Sequence, residues 1–188
     1  MWALVTDNTI TKIINQPRGM VIGDTQYSRN IFSFRWSNEE REAIGLYEVV
    51  FDNTNKKDEK YYTNTNQTFA FADGAVTASF GSATAKALAD VTVGDIVTPG
   101  LKTQKKEIIK NQAAGILQDT DWYITRKADA GTAVPSAVTT HRAAVRTKSG
   151  EMETLINNAA NVDALAALYV YNNDDPPVRP LGEFPEAV

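Results

Sequence analysis

The chain has 188 residues, 43% of them hydrophobic and 22% charged, with a formal net charge of −4 and no cysteine. This composition suits one or two folded domains and argues against wholesale disorder. It excludes disulfides, thiolate metal sites and cysteine nucleophiles, and the net negative charge gives no reason to expect a polyanionic partner.

The N-terminal stretch from Met1 to Asn8 has neither a basic segment nor a long apolar run, so the sequence predicts no signal peptide. No apolar run approaches the roughly 20 residues that span a bilayer, and no membrane partner is expected. Asn66-Gln67-Thr68 matches a glycosylation sequon, which is read as chance without a secretion signal.

Residues 1–81 read as a β-rich domain. Residues 2–5 and 9–14 are short β-prone runs joined at the turn pair Asp7-Asn8. Gln16-Pro17-Arg18-Gly19 then breaks the chain, and residues 20–22 and 31–34 follow as candidate strands. Ser37 and Glu40 have the spacing of a capping box, so a two-turn helix is expected after Ser37, ended by Gly45 and packed through Ala43 and Ile44. Residues 46–51 read as a strand. Asp73-Gly74 joins residues 68–72 to residues 75–80 as a two-residue hairpin. That register pairs Phe71 with Val76, Phe69 with Ala78 and Gln67 with Phe80. It puts Phe69, Phe71, Val76 and Phe80 on one face, and Thr68, Thr77 and Ser79 on the other.

Residues 82–100 read as a linker with a short helix at 83–89, closed by Thr98-Pro99-Gly100. A helical domain is expected over residues 101–171. Leu101, Ile108, Ile109, Ala113, Ile116 and Leu117 share one helical face, and Asp119-Thr120-Asp121 ends that helix. Further helices are predicted from Pro135-Ser136 to Lys148, over 151–160 and over 163–168. Residues 172–188 hold Pro176, Pro177, Pro180 and Pro185, which preclude a helix of any length. The fold class is therefore α+β, with a β-rich first half, a helical second half and an extended proline-rich C-terminal tail.

Chemistry-bearing patterns are sparse. His141 is the only histidine, which excludes a two-histidine metal site within one chain. It is read as packing beside Arg142 or lying on a helix surface. No nucleophile elbow, Walker loop or dinucleotide fingerprint occurs. Residues 52–59 superficially resemble a calcium loop but lack its central glycine and carry Lys56 and Lys57 in the middle. No metal, nucleotide or other cofactor is expected. Lys102, Lys105, Lys106 and Lys110 give the long helix a basic flank. The overall acidity favours a solvated face over a nucleic-acid site.

Two segments resemble known proteins. Thr120-Asp121-Trp122, then Thr132-Ala133-Val134-Pro135, then the run from His141 to Arg146 resembles the C-terminal region of phage tail fibre assembly proteins. That family has Tyr-Arg-x-x-Leu-Arg where this chain has His141 and Val145 at the tyrosine and leucine positions. The run from Arg35 to Tyr47 resembles a module of small phage tail proteins, where it precedes β-strands. The resemblance implies a non-enzymatic tailed-phage protein associated with fibres or tail, and the leading expectation is a structural virion component made in the bacterial host cytoplasm. Such a component would bind tail fibre or baseplate proteins in a homo- or hetero-oligomeric assembly, with no nucleic acid or membrane partner. One alternative is an assembly chaperone absent from the mature particle. Another, from a different class, is a glycan-degrading tail enzyme.

Four residues are the expected partner contacts: Arg142, Arg146, Leu181 and Phe184. The two arginines lie one helical turn apart, able to hold Glu151 or Glu153 or a partner's carboxylates. Trp122 is expected to wedge between helices as a core residue. The tail is expected to lie along a neighbouring subunit, docking Leu181 and Phe184 and offering Asp174, Asp175 and Glu183 to basic groups. The alternative is that it folds back on the chain's own β-rich half.

Overall fold

A computed structural model describes residues 1–187, and Val188, the last residue of the expected tail, lies outside the described residues. The chain divides into two compact units, Met1–Thr84 and Ala85–Val188. In the first, β1 (Trp2–Thr6) and β2 (Thr9–Ile14) form an antiparallel hairpin. Its turn residues Asp7 and Asn8 both have positive φ, as a primed two-residue turn requires. A second small hairpin pairs β3 (Met20–Ile22) with β4 (Thr25–Tyr27).

A 3-10 turn at Arg29–Phe32 stands where a strand over 31–34 was expected. The reason lies in α1 (Asn38–Ala43). Its capping box is complete: Ser37 Oγ accepts from the Glu40 N–H at 3.2 Å, and Glu40 Oε2 accepts from the Ser37 N–H at 2.7 Å. The helix packs through Arg41 and, at its C-terminal end, through half-buried Ile44, whereas Ala43, the other expected contact, is exposed. Arg41 Nε donates to Ile31 O at 2.8 Å, Nη2 donates to Ser33 O at 2.5 Å, and the guanidinium sits 4.8 Å from the Trp2 ring centroid. Carbonyls held by a buried cation are withdrawn from strand pairing.

Gly45 follows at φ 79°, and a Cβ there would lie 2.4 Å from Val5 O. Only glycine allows β1 to approach this closely. The chain continues into β5 (Leu46–Asp52), the short β6 (Tyr62–Thr63), β7 (Thr68–Ala72) and β8 (Ala75–Ser79). The β7–β8 hairpin pairs Phe71 with Val76 and Phe69 with Ala78, as its turn dictates. Strand β8 stops at Ser79, which pairs with Thr68, so the expected Gln67–Phe80 pair does not form. The five-stranded sheet runs β2-β1-β5-β8-β7, with β5 and β8 parallel. Ala3, Val5, Val49, Val76 and Ala78 are buried together, with Phe69 and Phe71 packed on them. Ile14, Ile31 and Leu46 form a second cluster, covered by Trp2, Trp36 and Ile44.

The two-residue strand β9 (Thr84–Ala85) marks the passage to the second unit. The expected helix at 83–89 is absent. Only β9 lies in that span, and further along β10 (Val91–Val93) and β11 (Ile96–Thr98) form a hairpin around Gly94, whose φ is 60°. β-Branched runs flanking a Gly-Asp pair prefer strands to helix.

Helix α2 (Leu101–Gln118) packs against α4 (Ser136–Asn158). Leu101, Ile109 and Ala113 are buried, whereas Ile108 is exposed. Successive residues lie about 100° apart on a helix, so Ile108 and Ile109 cannot share one narrow seam. Helix α3 (Asp121–Ala130) occupies a stretch with no apolar stripe, and ends at Gly131, whose N–H donates to Lys127 O at 3.0 Å. Helix α4 is continuous where two helices were expected to break near Gly150. Its buried positions Val138, Val145, Ser149, Met152 and Ile156 keep one phase through the glycine, and that burial outweighs glycine's helical penalty of about 1 kcal/mol. Helix α5 (Val162–Ala167) is capped by Asn161, whose Oδ1 accepts from the Ala164 N–H at 2.8 Å.

The C-terminal segment turns back on the second unit. The Asn172 N–H donates to Val178 O, and the Leu181 N–H to Leu168 O at 3.0 Å. Leu181 is completely buried. The extended tail docked on a neighbouring subunit is thus corrected, because its principal anchor is already inside its own helical unit.

Candidate functional site

The corner between α2 and α3 is where Thr120-Asp121-Trp122 and the His141–Arg146 run, both of the second unit, come together. A helix ends with unpaired carbonyls, and here Leu117 O is one of them. It accepts from the Thr120 N–H at 3.1 Å, from Thr120 Oγ1 at 3.0 Å and from Arg142 Nη1 at 2.7 Å. Arg142 Nη1 also bonds Thr120 Oγ1 at 2.7 Å, and Nη2 reaches Asp121 Oδ1 at 2.8 Å. One buried guanidinium therefore closes α2 and holds the first residue of α3. Its planar set of donors makes this multiple capture possible where lysine would offer one point charge.

The expected pairing of the arginines with Glu151 or Glu153 does not form. Glu151 pairs with Lys148 at 3.6 Å, and Glu153 takes Lys110 at 3.5 Å and Ser149 Oγ at 3.3 Å. Arg146 is exposed and reaches only Arg142 O, at 3.4 Å. Among the described residues no carboxylate pairs with it.

Trp122 is 51% exposed and not the expected core wedge. The first turn of α3 projects it outward, stacked on Tyr123 with ring centroids 3.9 Å apart. The Arg126 guanidinium lies 4.6 Å from the Trp122 centroid and 5.5 Å from that of Tyr123. Beside this stack opens a cleft of about 350 Å³ lined by Ile116, Asp119, Thr120, Trp122, Tyr123, Val138, His141, Pro185 and Ala187. His141 is buried in its wall next to Arg142. Phe184 is half-buried just before Pro185.

The structure thus brings Arg142, Trp122, His141 and the end of the tail to one place, and removes Leu181 from the surface. Sequence reasoning missed Asp121 as the partner of Arg142 and Tyr123 and Arg126 as the stack around Trp122. The available signal was Thr120-Asp121 followed ten residues later by Gly131, a start and stop for a short helix.

The basic flank of α2 is engaged within its own unit. Lys102 Nζ donates to Asn157 O at 2.8 Å, Lys110 meets Glu153, and Lys105 lies 4.7 Å from the Tyr169 ring centroid. No group of three His, Asp or Glu among the described residues is placed to hold a metal ion. No helix among them is long and apolar enough to cross a membrane. The chain matches no family model, no curated protein and no solved structure.

Proposed function

We propose that this chain is a non-enzymatic structural component of a bacteriophage tail that holds fibre or baseplate proteins through protein–protein contacts. The observation that supports this reading is that Thr120-Asp121-Trp122 and His141-Arg142, two parts of the second unit's resembling region, come together at one corner. Thr120 and Asp121 are bonded by Arg142, and Trp122 and His141 line the cleft beside them. A half-exposed indole next to a rigid, arginine-tied corner is the kind of anchor on which protein interfaces concentrate their binding energy. Arg146, exposed and without a carboxylate among the described residues, adds a cation at the same helix face.

Mass spectrometry of purified particles tests the reading. The expected result is the chain at a fixed copy number in finished virions. Its absence from particles, with co-purification of fibre protein from infected cells, would make it an assembly chaperone instead. Release of sugars from host glycans by the purified chain would overturn the non-enzymatic assignment.

A further inference from the structure

One polar side chain in the wall of the cleft lacks a partner within its own fold. His141 is 7% exposed and lines the cleft. Buried polar side chains normally find a hydrogen-bond partner. Among the described residues neither ring nitrogen of His141 has one, and neither is sealed off without one, as Arg126 Nε and Arg142 Nε are. What opening the imidazole nitrogens have is therefore towards the cleft. They offer it one donor and one acceptor when the ring is neutral, and two donors when it is charged.

The rest of the lining is mixed in the same way. Asp119 brings an exposed carboxylate, and among the described residues no cation pairs with it. Ile116 and Val138 supply aliphatic surface, and Trp122 and Tyr123 aromatic surface. Tyr123 stacks on the indole at 3.9 Å, and Arg126 lies 4.6 Å from the indole centroid and 5.5 Å from that of Tyr123. On the far side of the indole Arg126 would lie much further from Tyr123, so it sits beside the stack. One indole face is free of both, in keeping with the half exposure of Trp122. No lysine or arginine lines the cleft. Around it, Asp119 and Asp121 are balanced by Arg126 and Arg142, so no field of one sign draws an ion in.

We propose that this cleft binds an uncharged saccharide unit, with the C–H face of a sugar ring on the indole and its hydroxyl groups on His141 and Asp119. A sugar ring carries both kinds of surface that the lining offers. Its C–H groups suit the electron-rich face of an aromatic ring, and its hydroxyls both donate and accept. Asp119 accepts from them, and the imidazole can do either. The cleft's volume of about 350 Å³ falls at the small end of the roughly 300–1,000 Å³ typical of ligand sites. That suits a single ring or a short oligosaccharide. A nucleotide fits worse, because its phosphate would meet Asp119 and find no lysine or arginine in the wall. The proposal concerns binding alone, with no bond broken. It goes beyond the protein-binding reading above and does not rest on it.

Saturation-transfer NMR on the full chain tests this. The probes are the methyl glycosides of glucose, galactose, mannose and N-acetylglucosamine, with adenosine and tyrosine amide as controls. At least one glycoside should bind and shift the ring signals of Trp122 and His141. His141→Leu and Asp119→Ala should each weaken that binding roughly tenfold, the size of effect expected when one hydrogen bond to a ligand is lost. Asp119 is exposed, so its variant keeps the test decisive if His141→Leu does not fold. Three results would overturn the proposal: no binding of any glycoside, glycoside binding that Asp119→Ala and a folded His141→Leu leave unchanged, or tighter binding of adenosine or tyrosine amide than of every glycoside. Absence of the chain from virions would instead overturn the tail assignment and leave the sugar titration standing.

Discussion

Arg142 and Asp121 meet at 2.8 Å across the corner between α2 and α3, and the pair is unequal: the arginine side chain is 8% exposed and the aspartate 58%. A carboxylate so open to water adds little through its charge. The arginine's other contacts, to Leu117 O and Thr120 Oγ1, are sheltered and charge-assisted. Arg142→Ala should therefore destabilise the protein by about 3 kcal/mol, since several hydrogen bonds to a charged donor are lost together. Asp121→Ala should cost less than about 1 kcal/mol. Chemical denaturation of both variants checks this, and equal losses would show that the ion pair, not the helix-end carbonyl, is what Arg142 serves.

Trp122→Ala bears on stability and binding differently. A fully buried tryptophan would cost about 3–5 kcal/mol on truncation. With half its surface in water, the expected loss is about 1–2 kcal/mol. Under the proposed function, binding of fibre or baseplate protein should fall far more than stability does. A variant that melts with the large loss of a core residue would refute the assignment of Trp122 to the interaction surface.

The same contrast explains how far the sequence could be read. Local features came through because neighbouring residues determine them. Asp73-Gly74 sets the register of β7 and β8, with both φ angles positive. Ser37 and Glu40 set the start of α1. What was lost depended on distant partners. Arg41 packs like a core residue only because Ile31 and Ser33 present carbonyls to it from ten and eight positions away. The parallel pairing of β5 with β8 has no local signature. Helix α3 buries no residue, so it shows no apolar period to detect. Gly150 read as a break because its penalty is local, whereas the burial of Ser149 and Met152 that overrides it is tertiary. At the candidate site, the order of motif residues was visible. That Arg142 reaches back to Asp121, and not forward to Glu151, was not.

Leu181 and Phe184 should separate the anchor of the C-terminal segment from the end beyond it. Leu181→Ala removes a fully buried side chain and should cost about 2–5 kcal/mol. Phe184→Ala, at a half-buried position without hydrogen bonds among the described residues, should cost about 1 kcal/mol or less. Thermal melts of the two variants decide the matter. Similar losses would mean that the whole segment is one locked unit.

The latch between Tyr171 and Glu183 predicts a response to alkaline pH. Tyr171 donates to Glu183 Oε1 at 2.6 Å. That hydrogen bond, followed by partial desolvation, raises the phenol above its ordinary value of about 10, while Arg179 nearby works in the opposite direction. A raised folded-state pKa favours the protonated form. The latch's contribution is therefore fully present below pH about 10 and is lost as pH rises through the higher folded value. Ionised Tyr171 would also face the Glu183 carboxylate with like charge. The difference in tyrosinate absorbance between the protein and its Tyr171→Phe variant isolates this one titration. Its midpoint should lie above that of free tyrosine and should fall towards it in Glu183→Gln. The stability difference between protein and Tyr171→Phe should be present at neutral pH and disappear once the titration is complete. A Tyr171 midpoint at or below the free value, or a stability difference that grows with pH, would show that the hydrogen bond does not hold the segment in solution.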